Sequence, residues 1–337
     1  MPLFVPFVSF VVSPARRDGL RRKGRMRYIM VQVLHTIGPV FIVILLGWFL
    51  SWREFLPAGL IGPLNRLVYY LAIPTMIFSG VAKSSFAVHF DLLLLAATLL
   101  PVVITFLIAS AVGMLGRLQG PERPTFVQAS LHGNLGYIGL AVCYYMLGEN
   151  GFTRASILAG FLMLLQNFLS VIGYQLFSGS VREKRRVWFF IRKIGGNPVI
   201  LSALAGIIFS VLEIPIPVLI DRCLDIISGM ALPSALLVIG ASLSFGLIKT
   251  HLKLVLGTGL LKLLVLPTLG ILAYGLAGLS TTQFLPGLIL LAAPTATIAF
   301  VMAGEMNGSM DLATAAISLN TLLSALTFIL WLWQFNG

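Results

Sequence analysis

Two short polar segments interrupt long apolar stretches of this sequence, and they hold the residues best suited to binding a ligand. The first segment contains Gly133, Asn134, Gly136 and Tyr137, and the second contains Pro294, Thr295 and Thr297. Glycine and asparagine weaken a helix and proline removes a backbone donor, so both segments should free backbone groups. Such groups, with neutral amide and hydroxyl side chains and helix N-termini aimed at the breaks, suit a carboxylate. The sequence therefore predicts a site for an organic anion rather than a cation.

Five further polar residues are candidates for roles around this site. Gln166, Asn167 and Asn320 are predicted either to help bind the substrate or to form hydrogen bonds between helices, worth about 0.6–2 kcal/mol each. His132 borders the first segment and could act in coupling to protons, although a histidine bonded to a neighbouring carbonyl is the favoured interpretation. Lys262 could attract the anion, but we expect its ammonium to extend to the membrane interface instead.

The residues that would support catalysis or metal binding do not occur in the required patterns. None of the acidic residues falls at the centre of an apolar stretch, and Asp91 and Glu305 lie near the ends of such stretches. His-Glu-x-x-His, Gly-x-Ser-x-Gly and Walker motifs do not occur. Two cysteines, Cys143 and Cys223, are too few for a cysteine metal site and should simply pack. We therefore predict no enzyme, no metal and no cofactor.

Composition identifies the kind of protein in which these residues are embedded. Hydrophobic residues make up 58% of the 337 residues and charged residues 10%, with a mean hydropathy of +0.99. Soluble domains are about 45–50% apolar and about 25% charged. This composition excludes a soluble enzyme, a nucleic-acid binder and a disordered scaffold, and it predicts a multi-pass protein of the inner (plasma) membrane.

Charge-poor runs close to the length of a membrane-spanning helix predict ten spans. They cover approximately residues 31–51, 62–82, 92–115, 126–147, 155–177, 197–213, 227–248, 252–277, 283–304 and 312–333. A β-barrel would show alternating segments, whereas the run from Leu92 to Leu100 is apolar on every face. The predicted fold class is therefore an all-α polytopic membrane protein.

Basic residues predict how these spans are oriented. They concentrate after the odd-numbered spans, with the densest cluster between Arg182 and Lys193 in a linker at 178–196. The opposite side, residues before 30 excepted, holds only Lys83, Arg154 and Arg222. Since basic loops stay in the cytoplasm, the linker should be cytoplasmic and both termini should face outward. The cluster could also bind anionic membrane lipids.

The segment 1–29 contradicts this orientation because it carries seven basic residues. They are Arg16, Arg17, Arg21, Arg22, Lys23, Arg25 and Arg27. Its apolar part precedes its basic part, the reverse of a signal peptide. We expect native translation to begin at Met26 or Met30, and a genuine cytoplasmic extension with an altered topology is the alternative.

The two halves of the chain resemble each other in collinear order. Ala72, Pro74, Ala82, Ser85 and Phe86 match Ala231, Pro233, Ala241, Ser244 and Phe245; Pro101 matches Pro267; and Gln166, Asn167 and Ser170 match Asn320, Thr321 and Ser324 in spacing. A repeat of five spans is odd, so residues 30–177 and 197–337 should form two inverted five-helix repeats. Transporters with such repeats bind substrate where discontinuous helices of the two halves meet. We therefore favour a site at spans 4 and 9 over a pair of packing kinks.

Several short motifs resemble the auxin efflux carrier family, which includes plant PIN-type carriers and bacterial malonate-type permeases. The motifs are Asn65-Arg66-Leu67 with Pro74, Asn197-Pro198, Leu243 with Pro233, and Ala293 to Thr297 followed by Glu305. The resemblance covers about residues 30–335. It implies a scaffold of spans 1, 2, 6 and 7, a mobile domain of spans 3–5 and 8–10, and crossing helices 4 and 9. The short linker favours the compact bacterial type, and Ala141 follows Gly139-Leu140 where family members often carry proline.

These observations predict a secondary transporter that moves a small organic anion, such as a carboxylate, by elevator-type alternating access. A channel or a substrate-binding sensor on the same fold is the alternative, and an intramembrane enzyme is less favoured. The expected partners are the substrate and membrane lipids, without nucleic acid. The sequence leaves a homodimer open.

We predict that position 184 is cytoplasmic and that the loop before Asp225 lies on the opposite side. In a protein without Cys143 and Cys223, a Lys184→Cys variant should resist a membrane-impermeant maleimide in intact cells, because the basic loop is retained inside. An Ile216→Cys variant should react. Labelling of position 184 before cell lysis would overturn the orientation.

Overall fold

The computed structural model describes residues 37–84, 89–178 and 196–335. All regular secondary structure within these ranges is helical, which confirms the all-α prediction. The segment 1–29, the cluster from Arg182 to Lys193 and the Ser85-Phe86 match lie outside the described residues.

Eleven helices follow one another along the described ranges. They are α1 (Ile37–Trp52), α2 (Ala58–Ala82), α3 (Leu92–Leu115), α4 (Glu122–Leu131), α5 (Leu135–Phe177), α6 (Pro198–Val211), α7 (Val218–Ala241), α8 (Leu252–Leu276), α9 (Thr281–Ala292), α10 (Ile298–Glu305) and α11 (Met310–Phe335). Six of them, α2, α3, α5, α7, α8 and α11, are long and apolar enough to cross a membrane. Helices α1, α6 and α9 are shorter and also apolar. These lengths fit a chain that crosses a bilayer several times.

The ends of several helices follow from local side-chain chemistry. The Asp91 carboxylate accepts hydrogen bonds from the backbone N–H groups of Leu93 and Leu94 at 2.9 and 3.0 Å, which caps α3. Asn197 caps α6 in the same way, and Pro198 occupies the first position, where a helix needs no N–H donor. Gly148, with a φ of 66°, interrupts α5 in a conformation that other residues rarely adopt.

The predicted seventh span, 227–248, is wrong in its boundaries. Helix α7 begins at Val218 and ends at Ala241. Its first turns contain Asp221, Arg222 and Asp225, so a search for charge-poor runs does not detect the start of this helix. Lys83, at the end of α2, forms ion pairs with Asp221 at 2.5 Å and with Asp225 at 2.8 Å. These charges lie at the end of α2 and at the start of α7, where side chains can reach water.

The helices pack as two groups that share one boundary. In the first helix group, α2 packs against α6 and α7, and α1 contacts α7. In the second helix group, α3 packs against α4, α5 and α8, while α11 packs against α8 and α10. Helix α5 also contacts α2 and α6, so it lies at the boundary between the groups. The broken segments belong to the second group and face the first.

Two glycines bring α1 and α7 into direct backbone contact. A Cβ atom on Gly240 would lie 1.8 Å from the carbonyl oxygen of Ile44, and one on Gly47 would lie 2.3 Å from that of Leu237. Neither position can accept a side chain unless the helices separate. Small residues at such contacts are how membrane helices gain close packing without a hydrophobic driving force.

We predict that Gly240→Ala destabilises the protein by about 1–3 kcal/mol, because the added methyl group must displace backbone atoms. Thermal unfolding of the detergent-purified protein, followed by size-exclusion chromatography, measures this loss. Gly275→Ala in α8 is the matched control, since a Cβ there meets no atom within 4 Å. Equal melting temperatures for the two variants would contradict the close contact.

Candidate functional site

The two polar segments pair with each other through their backbones. Gly133 and Thr295 form an isolated antiparallel bridge. The N–H of Asn134 donates to the carbonyl of Pro294 at 2.7 Å, and the N–H of Ala296 donates to the carbonyl of His132 at 2.9 Å. Backbone groups freed where α4 and α9 end are therefore satisfied by the opposite break. This pairing meets the requirement that irregular backbone at membrane depth be buried in protein or line a cavity.

A buried polar layer behind the pairing holds the second break in place. The Thr295 hydroxyl donates to the carbonyl of Ala129 at 2.8 Å and accepts a bond from the Asn320 side-chain amide, also at 2.8 Å. The same amide lies 3.3 Å from the Thr258 hydroxyl. Helices α8 and α11 thus fix the second break against α4, so Asn320 and Thr295 act between helices.

The first break is held by side chains of its own segment and of α5. The Asn134 side-chain oxygen accepts the N–H of Tyr137 at 3.3 Å, and the Gln166 side-chain oxygen accepts the N–H of Gly133 at 3.2 Å. His132 is buried with its Nδ1 atom 3.2 Å from the Ser170 hydroxyl. His132 is therefore partnered by a hydroxyl rather than by the neighbouring carbonyl that we expected.

A cavity of about 730 Å³ lies beside the paired breaks, between the two helix groups. The predicted residues that line it are His132, Gly133, Asn134, Gly136, Tyr137, Asn167 and Thr297. Pro294, Thr295, Gln166, Asn320 and Lys262 are not in its wall. The structure therefore divides the predicted site residues into a cavity wall and a layer behind it.

The amide side chains around the first break leave hydrogen-bond donors unused. Because the Asn134 and Gln166 oxygens accept backbone N–H groups, their NH2 groups point elsewhere, and neither has a partner among the described residues. Asn167 donates its NH2 group to Met163, which leaves its oxygen free. Buried polar groups are nearly always paired, so the NH2 group of Asn134, a residue of the cavity wall, is a donor for which the described residues supply no acceptor.

The opposite side of the cavity wall comes from α2, α6 and α7, and α2 contributes residues that the sequence-based site prediction missed. Asn65, Arg66, Tyr69 and Tyr70 line this side. Arg66 is the only lysine or arginine among the described lining residues, and none of those residues is acidic. The Tyr137 hydroxyl donates to the Asn65 side-chain oxygen at 2.8 Å across the boundary between the helix groups. The Asn65-Arg66-Leu67 motif was the available signal, but the sequence analysis used it only for the family resemblance.

The expectation that Lys262 reaches the membrane interface is wrong. Its side chain is fully buried, and the Nζ atom donates to the carbonyl of Leu291 at 2.7 Å. A Cβ atom on Gly133 would lie 3.1 Å from that Nζ atom. Lys262 lies on the face of α8 that packs against the breaks, so its side chain points inward. The spacing of residues along the helix does not by itself reveal which face is buried.

Sequence comparison assigns the class of protein. The chain belongs to the membrane transport protein family, whose family model matches residues 32–332. This match confirms the resemblance to the auxin efflux carrier family and the prediction that the chain is a transporter rather than an enzyme. With its apolar helices, it is a multi-pass membrane protein.

Individual relatives span nearly the same length. The chain is 27% identical to a protein of Rhizobium meliloti (strain 1021) named "Putative malonate transporter", over 88% of this chain and 94% of that protein. It is 26% identical to an uncharacterized transporter of Methanothermobacter thermautotrophicus, over 88% of this chain and 96% of the other. An uncharacterized transporter of Escherichia coli (strain K12) is 22% identical, over 88% and 95%.

We predict that Thr295→Val lowers stability by about 1–3 kcal/mol, because it removes the side-chain donor to the Ala129 carbonyl and leaves the Asn320 amide with only its longer bond to Thr258. Valine has nearly the same shape, so lost packing contributes little. Thermal unfolding in detergent measures the change, with Thr268→Val as the control because that hydroxyl is exposed and bonds within its own helix. If both variants melt at the same temperature, the layer behind the break carries no stability.

Proposed function

We propose that this protein is a secondary transporter for a small organic anion, a carboxylate in particular, which binds in the cavity beside the paired breaks. The observation that carries the proposal is the unpaired, buried NH2 group of Asn134 in a cavity wall that contains no described acidic residue. An NH2 group can only donate, so it suits an acceptor such as a carboxylate.

Several other groups would complete the binding of a carboxylate. Helix α10 begins at Ile298, directly after Thr297, and both residues line the cavity. The first N–H groups of a helix lack intrahelical acceptors and carry partial positive charge. Arg66 contributes a full positive charge from the opposite wall, and guanidinium groups match carboxylates geometrically. A cavity wall of uncharged groups that faces one arginine favours an anion over a cation.

The residues that the sequence analysis assigned to substrate binding fall into two roles in this proposal. Gly133, Asn134, Gly136, Tyr137, Asn167 and Thr297 would contact the substrate. Pro294, Thr295, Gln166 and Asn320 would shape and support the breaks, with Gln166 placing an unpaired NH2 group behind Gly133. His132, which lines the cavity, remains a candidate for coupling to protons.

We also propose that the chain contains ten spans in two inverted repeats, residues 30–177 and 197–337. Broken span 4 would consist of α4 and the start of α5, and broken span 9 of α9 and α10. The residue offset that aligns Pro74 with Pro233 also aligns the ends of α2 and α7, Ala82 and Ala241. Breaks at corresponding places in the two halves support the same arrangement.

The two helix groups support an elevator mechanism. The first group, α1, α2, α6 and α7, would be the static scaffold, and the second group would move with the substrate. The cavity lies between them, and the bond from Tyr137 to Asn65 is one of the contacts that movement must break. Gly196 and Asn197, which follow the basic linker, line the cavity, so this conformation would open toward the cytoplasm.

Malonate is the first substrate to test, because the Rhizobium relative carries that name. Purified protein in proteoliposomes should take up radiolabelled malonate saturably, and unlabelled malonate inside should accelerate uptake. Acetate, succinate and citrate as competitors would define the accepted size and charge. Flux that does not saturate would indicate a channel, and thermal stabilisation by malonate without flux would indicate a sensor.

We predict that Asn134→Leu removes uptake while the protein stays folded. The substitution deletes the unpaired donor, at a cost of about 1–3 kcal/mol if a carboxylate oxygen is left without a partner. Pro294→Leu should also remove uptake, but by allowing the ninth span to close its backbone hydrogen bonds and leave the cavity.

Uptake and malonate-induced thermal stabilisation should be measured together at matched expression. Thr314→Val is the control, since its hydroxyl lines the cavity but bonds within its own helix. A variant that retains wild-type uptake and ligand response would show that its break is only a packing kink.

A further inference from the structure

Lys262 occupies an unusual place at the crossing of the breaks. Its Nζ atom donates to the carbonyl of Leu291 at 2.7 Å, in the last turn of α9. The last carbonyls of a helix have no intrahelical donor and carry partial negative charge. The ammonium group therefore caps the C-terminal end of a helix that stops inside the membrane.

Among the described residues, Lys262 has no ion-pair partner. Its side chain is fully buried. Gly133 lies against it so closely that a Cβ atom there would be 3.1 Å from Nζ and 3.2 Å from Cε. The positive end of Lys262 is therefore directly behind a residue of the cavity wall.

Transporters built from inverted repeats commonly bind a sodium ion or proton at half-helix C-terminal ends and unwound carbonyls. In this protein a lysine side chain lies at such an end. We propose that the Lys262 ammonium is a built-in cation that takes the place of a bound metal cation and compensates the charge of the substrate anion from behind Gly133.

The proposal rests on the function proposed above and gives Lys262 a defined part in it. The charge reaches the substrate through the backbone of the first break rather than by direct contact, since Lys262 is not in the cavity wall. Anion binding should therefore need no sodium. Glycine at position 133 allows this close approach, since a Cβ atom there would crowd the ammonium group and displace it slightly.

The direct test measures malonate affinity of the purified full-length protein by calorimetry in sodium chloride and in choline chloride. Wild-type affinity should be the same in both salts. Lys262→Gln keeps an N–H donor for Leu291 but has no charge, and it should lower affinity about tenfold, the effect of a unit charge at roughly 10 Å in a protein interior. Lys253→Gln is the control, because it removes an exposed charge from the same helix.

A second measurement needs no substrate. Lys262→Ala empties the space beside the α9 carbonyls, and Lys262→Met fills it with an apolar group. The melting temperature of the alanine variant should rise by about 2 °C or more when choline is replaced by sodium, because sodium can occupy the vacated position. The wild-type protein and the methionine variant should not respond.

These measurements separate the two proposals. If wild-type protein binds no carboxylate, the proposed function fails, and the sodium response of Lys262→Ala still decides the role of the ammonium. Undiminished malonate binding by Lys262→Gln would overturn the built-in cation. Sodium-dependent binding or stability of the wild-type protein would overturn it equally, as would an alanine variant indifferent to sodium.

Discussion

The antiparallel pairing of Gly133 with Thr295 is the contact on which the rest of this structure depends. Two helices stop inside an apolar body, and each would leave backbone donors and acceptors without partners. Each break is satisfied by the other through the bonds from Asn134 to Pro294 and from Ala296 to His132. The pairing fixes where the two broken segments meet, and α5, α8 and α11 pack around them.

The pairing also separates the polar residues into those that hold the site and those that face the cavity. On the buried side, Asn320 and Thr295 connect α11 and the second break to α4. On the open side, Asn134 and Thr297 lie in the cavity wall. Backbone and amide groups cost less to bury than ions, so a membrane protein with few charges can line a cavity with them.

Two basic residues lie near the uncharged part of the cavity wall, one in the wall itself and one behind it. Arg66 lies in the opposite wall of the cavity, and Lys262 lies behind Gly133 on the end of α9. An isolated buried charge is costly. Arg66 avoids this cost because it is exposed, whereas Lys262 is buried but bonded to a helix C-terminal carbonyl. Gly133 allows the close approach of Lys262 to the back of the cavity wall.

Composition and local pattern by themselves determined that this chain is an all-helical membrane protein, where its helices break, and which family it resembles. The length of the apolar runs and the helix-breaking residues Gly133 and Pro294 are local features of the sequence. These conclusions therefore needed no tertiary information. Tertiary structure decided which polar residues face the cavity, because an apolar helix gives no periodic signal for its inward side. Lys262 and Arg66 show this: the sequence analysis expected Lys262 to reach the membrane interface and did not include Arg66 in the site, whereas packing buried the first and put the second in the cavity wall. Tertiary structure also brings Lys83 to the carboxylates of Asp221 and Asp225 in the first turns of α7, which are distant from it in sequence.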